Sequence, residues 1–156
     1  MSKIRLILIC ASLLVLALFY PINRAKISYL DKSCLLSDGK FSLSWVHSVE
    51  HETWIENYEA KYGYILLEST YLKTFGAGTP SDGEVIDAPK GFIGYKVNRK
   101  IPMLNWVVSQ NMQGSIIADG HDWVISKEVP RFTEVHIESI SKPFIKMLFG
   151  GFCNDK

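Results

Sequence analysis

The fold is decided by two neighbouring stretches, Phe41-Ser-Leu-Ser-Trp-Val-His-Ser48 and Trp54-Ile-Glu-Asn-Tyr-Glu-Ala-Lys-Tyr62. In the first, larger side chains alternate with serine and valine; in the second, aromatic residues, Glu56 and Ala60 alternate with a more polar set. A period of two is typical of a strand with one buried face, whereas a helix repeats about every 3.6 residues. The two stretches therefore predict a hairpin of half-buried strands.

Short runs of β-branched and aromatic residues continue this pattern between Gly, Pro, Asp and Asn residues. Asp119-Gly120 predicts a type I′ hairpin turn, because such a turn needs two residues that tolerate positive φ. We predict an all-β fold, a sandwich or a partly open barrel of antiparallel strands. The further predicted strands are residues 64–75, 91–98, 105–110, 115–118, 123–126 and 132–139.

The C-terminal region departs from the period of two. Ser141 as a cap, the early Pro143 and the Gly150-Gly151 pair predict a short helix between them. Its apolar face would consist of Phe144, Ile145, Leu148 and Phe149. Such a helix would either close one end of the β domain or lie on a bilayer surface.

Composition limits the class of protein. The chain has 156 residues, 47% of them hydrophobic, and a net charge of +1. This size and balance fit one modest domain behind an apolar leader, and they argue against a nucleic-acid partner. We divide the chain into a leader, residues 1–25, and a β domain, residues 26–156.

The leader consists of Lys3 and Arg5 followed by an apolar run over residues 6–20, closed by Pro21. About fifteen helical residues cover roughly 22 Å, less than the ~30 Å hydrocarbon core, so length does not separate an anchor from a cleaved signal peptide. No well-placed cleavage site of small residues follows the run, and we therefore favour an uncleaved anchor. The predicted location is the inner membrane, single-pass, with the body in the periplasm or outside the cell.

Cysteine usage fits this location. After the leader, the chain retains Cys34 and Cys153, an even pair in a compartment where disulfides persist. A bridge between them is a hypothesis, because the sequence gives no geometry for the pair.

The hairpin carries the candidate polar site. A turn centred on His51-Glu52 would pair Trp45 with Tyr58 and His47 with Glu56 on the core-facing side. A half-buried imidazole and carboxylate support each other's charge, and the pair would serve either as a structural lock or as a ligand-facing site.

A glycine-rich segment follows the third strand of this region, at residues 75–83. It is either a tight exit from that strand or a binding loop near the hairpin, where backbone N–H groups could meet a ligand.

The string His47-Ser-Val-Glu50-His51 also matches the H-x-x-E-H pattern of inverted zinc peptidases. That chemistry needs a helix, so that both histidines project onto one metal, whereas the alternation of residues 41–48 predicts a strand. A metal-dependent or acid–base hydrolase using His47, Glu50 and Glu56 is therefore the alternative function. We predict no metal and no cofactor.

In its leader and in three ordered motifs the chain resembles the family catalogued as domain of unknown function 1850. The motifs are residues 41–50, Glu56-Asn-Tyr58 and residues 75–80. The resemblance maps the family pattern onto His47, Ser48, Val49, Glu50, Glu56, Tyr58, Gly76, Ala77, Gly78 and Pro80. His51 lies outside that pattern, which further weakens the zinc interpretation.

The resemblance also implies a biological setting. Members of this family resemble one another as small exported or membrane-anchored bacterial proteins, often encoded beside the membrane subunit of TAXI-type TRAP transporters. This implies a binding or interaction module that assists solute uptake, in contact with the transporter's membrane subunit or its solute receptor. The residues expected to bind a ligand or partner are His47, Ser48, Glu50, Glu56, Tyr58, Gly76 and Gly78.

Overall fold

The structure, a computed structural model, describes residues 3–76, 78–79 and 83–153. An N-terminal helix precedes the strands and a short helix follows them. The elements are α1 (Lys3–Phe19), β1 (Pro21–Tyr29), β2 (Lys32–Leu35), β3 (Lys40–Val46), β4 (Thr53–Lys61), β5 (Tyr64–Leu72), β6 (Glu84–Ile86), β7 (Ile93–Ile101), β8 (Met103–Val108), β9 (Ser115–Ala118), β10 (His121–Trp123), β11 (Thr133–Pro143) and α2 (Phe144–Met147).

The described strands form two sheets, ordered β2-β1-β11-β8 and β10-β9-β3-β4-β5-β7-β6. Neighbouring strands in both sheets pair antiparallel. Ile27 and Ile137 of the first sheet share one buried core with Leu43 and Ile65 of the second, because each strand turns alternate side chains inward. The protein is therefore a β-sandwich with a short C-terminal helix, which confirms the predicted all-β class.

The predicted register of the central hairpin is wrong. Trp45 pairs with Trp54, Leu43 with Glu56 and Phe41 with Tyr58, so His47 does not face Glu56. The pairing slips by an even number of residues, which leaves every side chain on its predicted face and changes only its partner. The turn is centred nearer the start of the loop than we predicted.

Other boundaries also differ. We did not predict β1, β2 or β6, and β1 extends into residues 21–25, which we had grouped with the leader. Residues 123–126 are not a strand, because β10 ends at Trp123 and Ile125–Lys127 forms a 3-10 turn. The Asp119-Gly120 turn is confirmed: both residues have positive φ, 55° and 77°, between paired Ala118 and His121.

The C-terminal helix is shorter than predicted. β11 continues to Pro143, so Ser141 pairs with Asn23 instead of capping the helix. The N–H of Phe144 donates to the carbonyl of Tyr20 at 3.0 Å, which holds α2 against the end of α1. Met147 is buried while Leu148 and Phe149 are exposed.

Helix α1 is 17 residues long, and every residue in it is at least partly exposed. Within the described part of the chain, no helix is both long enough and apolar enough to span a bilayer.

The structure joins Cys34 and Cys153 in a disulfide, with the two Cα atoms 5.0 Å apart. Residues 151–153 run beside β2: the N–H of Leu35 donates to the carbonyl of Gly151, and the N–H of Cys153 donates to that of Leu35. The bridge therefore fixes the end of the described chain to an edge strand.

Candidate functional site

The turn between β3 and β4 is a four-residue loop, residues 48–51. The N–H of His47 donates to the carbonyl of Glu52 at 2.8 Å, and the N–H of His51 donates to that of His47 at 3.0 Å. The second bond closes a single helical turn, at the end of which His51 adopts a positive φ of 54°. This geometry folds the Glu50 side chain back toward the strand.

His47 and Glu50 meet inside this turn. Nδ1 of His47 contacts the Oε2 atom of Glu50, which makes the two an ion pair when the imidazole is protonated, and only 18% and 14% of the two side chains is exposed. The imidazole also stacks on Trp54, with ring centroids 4.6 Å apart and planes 20° apart. We call His47, Glu50, Trp54 and Gly76 the hairpin site.

Gly76 closes the hairpin site from the other side. A Cβ atom built on Gly76 would overlap the carboxylate of Glu50, so a larger residue there would require the Glu50 side chain to move. The Gly76 N–H donates to Thr79 Oγ1 at 2.8 Å, and the Thr79 N–H donates back to the Gly76 carbonyl at 3.1 Å. Gly78 has a φ of 89°, and a Cβ atom built on it would lie 3.8 Å from Cη2 of Trp54. Ala77 and Pro80 lie outside the described residues.

Two buried polar atoms beside this pair lack partners. Nε1 of Trp54 and Oε2 of Glu52 have no hydrogen-bond partner among the described residues. Leaving such an atom unpaired costs about 1–3 kcal/mol, so native proteins usually satisfy it with protein, water or ligand. The two atoms mark the hairpin site as able to accept a hydrogen-bonding ligand group.

Glu56 and Tyr58 belong to a different place on β4. They follow Trp54 on the same inward face, and the Tyr58 hydroxyl donates to Oε2 of Glu56. Both line a cavity of about 350 Å³ between β3, β4 and β8. The structure thus divides the predicted site into the hairpin site and this pair.

Burial controls the ionisation of the Glu56–Tyr58 pair. Loss of water raises the pKa of Glu56, while the hydrogen bond from Tyr58 and the charge of Arg99 act in the opposite direction. Burial, followed by the neighbouring carboxylate, raises the pKa of Tyr58. Glu56 is therefore a better proton acceptor than an ordinary surface glutamate.

The remaining predicted residues divide by exposure. Ser48 is exposed in the turn, and so is His51. β3 ends at Val46 and His51 has a positive φ, so residues 47–51 form one isolated turn and not the helix that a zinc peptidase requires. No group of three or more His, Cys, Asp or Glu side chains suited to a metal occurs within the described ranges.

Sequence reasoning missed Trp54 and Glu52 as parts of the site. The sequence pattern could have identified Trp54, because the period of two places it on the same inward face as Glu56 and Tyr58. Glu52 had none, since its position opposite His47 follows only from the turn geometry.

The fold and the site together define a two-sheet β domain with an aromatic-backed histidine–glutamate pair at one hairpin. The family model described as Domain of unknown function (DUF1850) matches residues 41–125, more than half of the chain. The protein therefore belongs to the DUF1850 family. The matched region contains the hairpin site and the Glu56–Tyr58 pair. Neither a curated protein nor a solved structure matches the chain.

Proposed function

We propose that this protein is a membrane-anchored, extracytoplasmic binding module that acts with a TAXI-type TRAP transporter, and that the hairpin site is its contact surface. The observation that carries the proposal is the His47–Glu50 pair, closed by Gly76 and bordered by the unpaired polar atoms of Glu52 and Trp54. These groups can form hydrogen bonds to a partner without rebuilding the sandwich.

A structural lock explains the same residues less well. The main core of the sandwich lies elsewhere, and Trp54 belongs to a smaller cluster with Leu72 and Tyr95. Val49 and Phe75, on either side of the site, are each 65% exposed. Apolar side chains that flank satisfiable polar groups are typical of a protein contact surface.

The anchoring part of the proposal rests on α1. Its apolar side chains are exposed along its length, an unfavourable arrangement in water. Seventeen helical residues cover about 25 Å, so spanning a ~30 Å hydrocarbon core requires local thinning and help from flanking residues. Lys3 and Arg5 lie at one end of α1 and Arg24 lies beyond the other, where long basic side chains can extend toward headgroups, whereas Lys26 pairs with Glu138.

We favour binding over hydrolysis for a geometric reason. A hydrolase would need Glu56 to act on the same reacting atom as His47 and Glu50, but Glu56 bonds to Tyr58 and faces the cavity between the sheets. In addition, the Glu50 carboxylate already engages His47.

Affinity capture tests the proposal. The full-length chain carrying His47→Ala or Glu50→Gln is compared with wild type for recovery of the transporter membrane subunit or solute receptor from native membranes. We expect at least a tenfold loss of capture, equivalent to about 1.4 kcal/mol of binding free energy, with little change in melting temperature.

Glu59→Gln is the matched control, because Glu59 lies on the opposite face of β4 and pairs with Lys61. It should keep full capture. Unfolding of both site variants would instead assign the pair to a structural lock, and stable variants with normal capture would refute the contact surface. Turnover of a hydrolysable substrate that both site variants abolish would favour the alternative.

A further inference from the structure

The cavity beside Glu56 is lined by aromatic side chains and a carboxylate. It is about 350 Å³ in volume, within the range of small-molecule sites. Trp45, Tyr58 and Trp106 contribute aromatic surface, and Glu56 contributes the one acidic group among the described lining residues. No basic side chain occurs in that described lining.

We propose that this cavity binds a small organic cation, with its ammonium group between the aromatic rings and the Glu56 carboxylate. The π faces of tryptophan and tyrosine attract cations, and the attraction strengthens where water is excluded. A carboxylate at the same place supplies the counter-charge. The site shares no residue with the hairpin site, so it can fail or succeed independently of the proposed function.

The placement of Glu56 favours a cationic ligand over a neutral one. Its carboxylate faces the cavity and accepts a hydrogen bond from Tyr58. Burying a carboxylate without a cation is unfavourable, and a purely apolar ligand would leave that cost in place. Arg99, whose charge also acts on Glu56, is exposed on β7 and is not among the described residues that line the cavity.

The aromatic walls are held in position before any ligand arrives. Trp106 lies against Gly114, where an added Cβ would come within 2.8 Å of the indole ring. Trp45 packs on Trp54 with ring centroids 6.3 Å apart, and Tyr58 stacks on Phe41 at 5.2 Å. Preorganised walls reduce the ordering cost of binding.

The cavity borders an edge strand, where a ligand can enter. β8 is the edge strand of the four-stranded sheet, and Asn105 is exposed where β8 borders the cavity. Oδ1 of Asn105 lies 2.7 Å from Nδ1 of His136 on the neighbouring strand, which holds its side chain at the rim. A ligand can therefore enter at the sheet edge without separating paired strands.

The test compares two probes of the same shape. Choline and its neutral carbon isostere, dimethylbutanol, are titrated separately into the full-length chain in detergent by calorimetry. We expect choline to bind at least tenfold more tightly than the isostere. Equal affinity for the two probes, or no saturable binding of choline, would overturn the proposal.

Variants assign the binding to this cavity. Glu56→Gln should weaken choline at least tenfold and leave the isostere within about twofold, while Glu59→Gln should change neither. Trp106→Leu keeps an apolar wall but removes a π face, and it should weaken choline more than the isostere. This second variant decides the matter if Glu56→Gln does not fold. Choline binding that survives both substitutions places it elsewhere and refutes the site.

Discussion

Gly76 is the residue on which the closure of the hairpin site depends. In Gly76→Ala the new methyl group would meet the Glu50 carboxylate, which must move away from His47. Overpacking of this kind typically costs about 1–3 kcal/mol. We expect a lowered melting temperature and a changed tryptophan fluorescence. Moving Glu50 would disturb the His47 imidazole, which stacks on Trp54.

Gly151→Ala is the matched control for that substitution. A Cβ atom on Gly151 meets nothing within 4 Å, and this glycine has no positive φ. Both properties should stay at wild-type values. Wild-type melting temperature and fluorescence for Gly76→Ala as well would contradict the close approach of Gly76 to Glu50.

Glu56 gives a prediction about pH. Burial raises its pKa above the ordinary glutamate value of about 4.3, so the folded state holds the proton more tightly than the unfolded state. The free energy of unfolding therefore falls as pH rises through the interval between the two pKa values. Glu56→Gln lacks this term, so its stability relative to wild type should rise as the pH increases above the ordinary glutamate pKa.

Glu59→Gln should show the opposite trend in the same titration. A hydrogen bond from Lys61 lowers the pKa of Glu59, so the wild-type carboxylate stabilises the fold at neutral pH and the contribution is lost on acidification. The effect will be small, because the pair is exposed to solvent. Parallel pH profiles for the two variants would contradict the assigned burial of Glu56.

Individual side-chain directions could be predicted from the sequence, but their partners could not. The period of two along residues 41–48 and 54–62 predicts which face of the sheet Trp45 and Glu56 occupy. Which residues pair across the hairpin depends instead on the turn. His51 adopts a positive φ there, and we could not predict this from the sequence. Asp119-Gly120, whose residues favour positive φ, gave the correct hairpin.

The same distinction holds for whole elements. The strands that we predicted carry several aromatic or β-branched residues, whereas β1 begins with Pro21 and alternates clearly only from Ala25 to Tyr29. β2 and β6 have only four and three residues, and no two-residue Asp-Gly turn joins either of them to a predicted strand, as it does the equally short β9. Their positions are set by pairing with longer neighbours, which is tertiary information.

The bridge between β2 and the C-terminal segment gives a prediction at this scale. Cys34 and Cys153 are 119 residues apart, and in the chain-entropy model closing so long a loop contributes roughly 5 kcal/mol. The double variant Cys34→Ser/Cys153→Ser should therefore unfold at a distinctly lower urea concentration. Mass spectrometry after alkylation without reductant should find neither Cys34 nor Cys153 alkylated in the wild-type protein.

Cys10→Ser is the control, since Cys10 is an exposed free thiol. It should leave both the urea midpoint and the Cys34–Cys153 peptide unchanged. If Cys34 and Cys153 are both alkylated in protein isolated under oxidising conditions, they do not form a disulfide. One argument for an extracytoplasmic location would then be lost.

At the scale of the whole molecule, the two proposed sites and the proposed anchor occupy separate places. The hairpin site lies at the β3–β4 turn, and the cavity opens at β8. Helix α1 runs directly into β1, whose first residue pairs with Pro143 at the end of β11. Any anchor in α1 would therefore hold the sandwich itself close to the bilayer, because hardly any linker separates the two.

This short connection leads to the last prediction. Alkaline phosphatase fused after Lys156 should be active and should pellet with membranes, because the sandwich would be exported while α1 remains attached. Cleavage after Ala25 would cut within β1 and remove residues that pair with β11, so a shortened product should be unstable as well as soluble. Deleting residues 3–19 should leave the fusion in the cytoplasm and inactive. An active, soluble and stable product from the full-length fusion would rule out the anchor, and inactivity of that fusion would place the domain on the other side of the membrane.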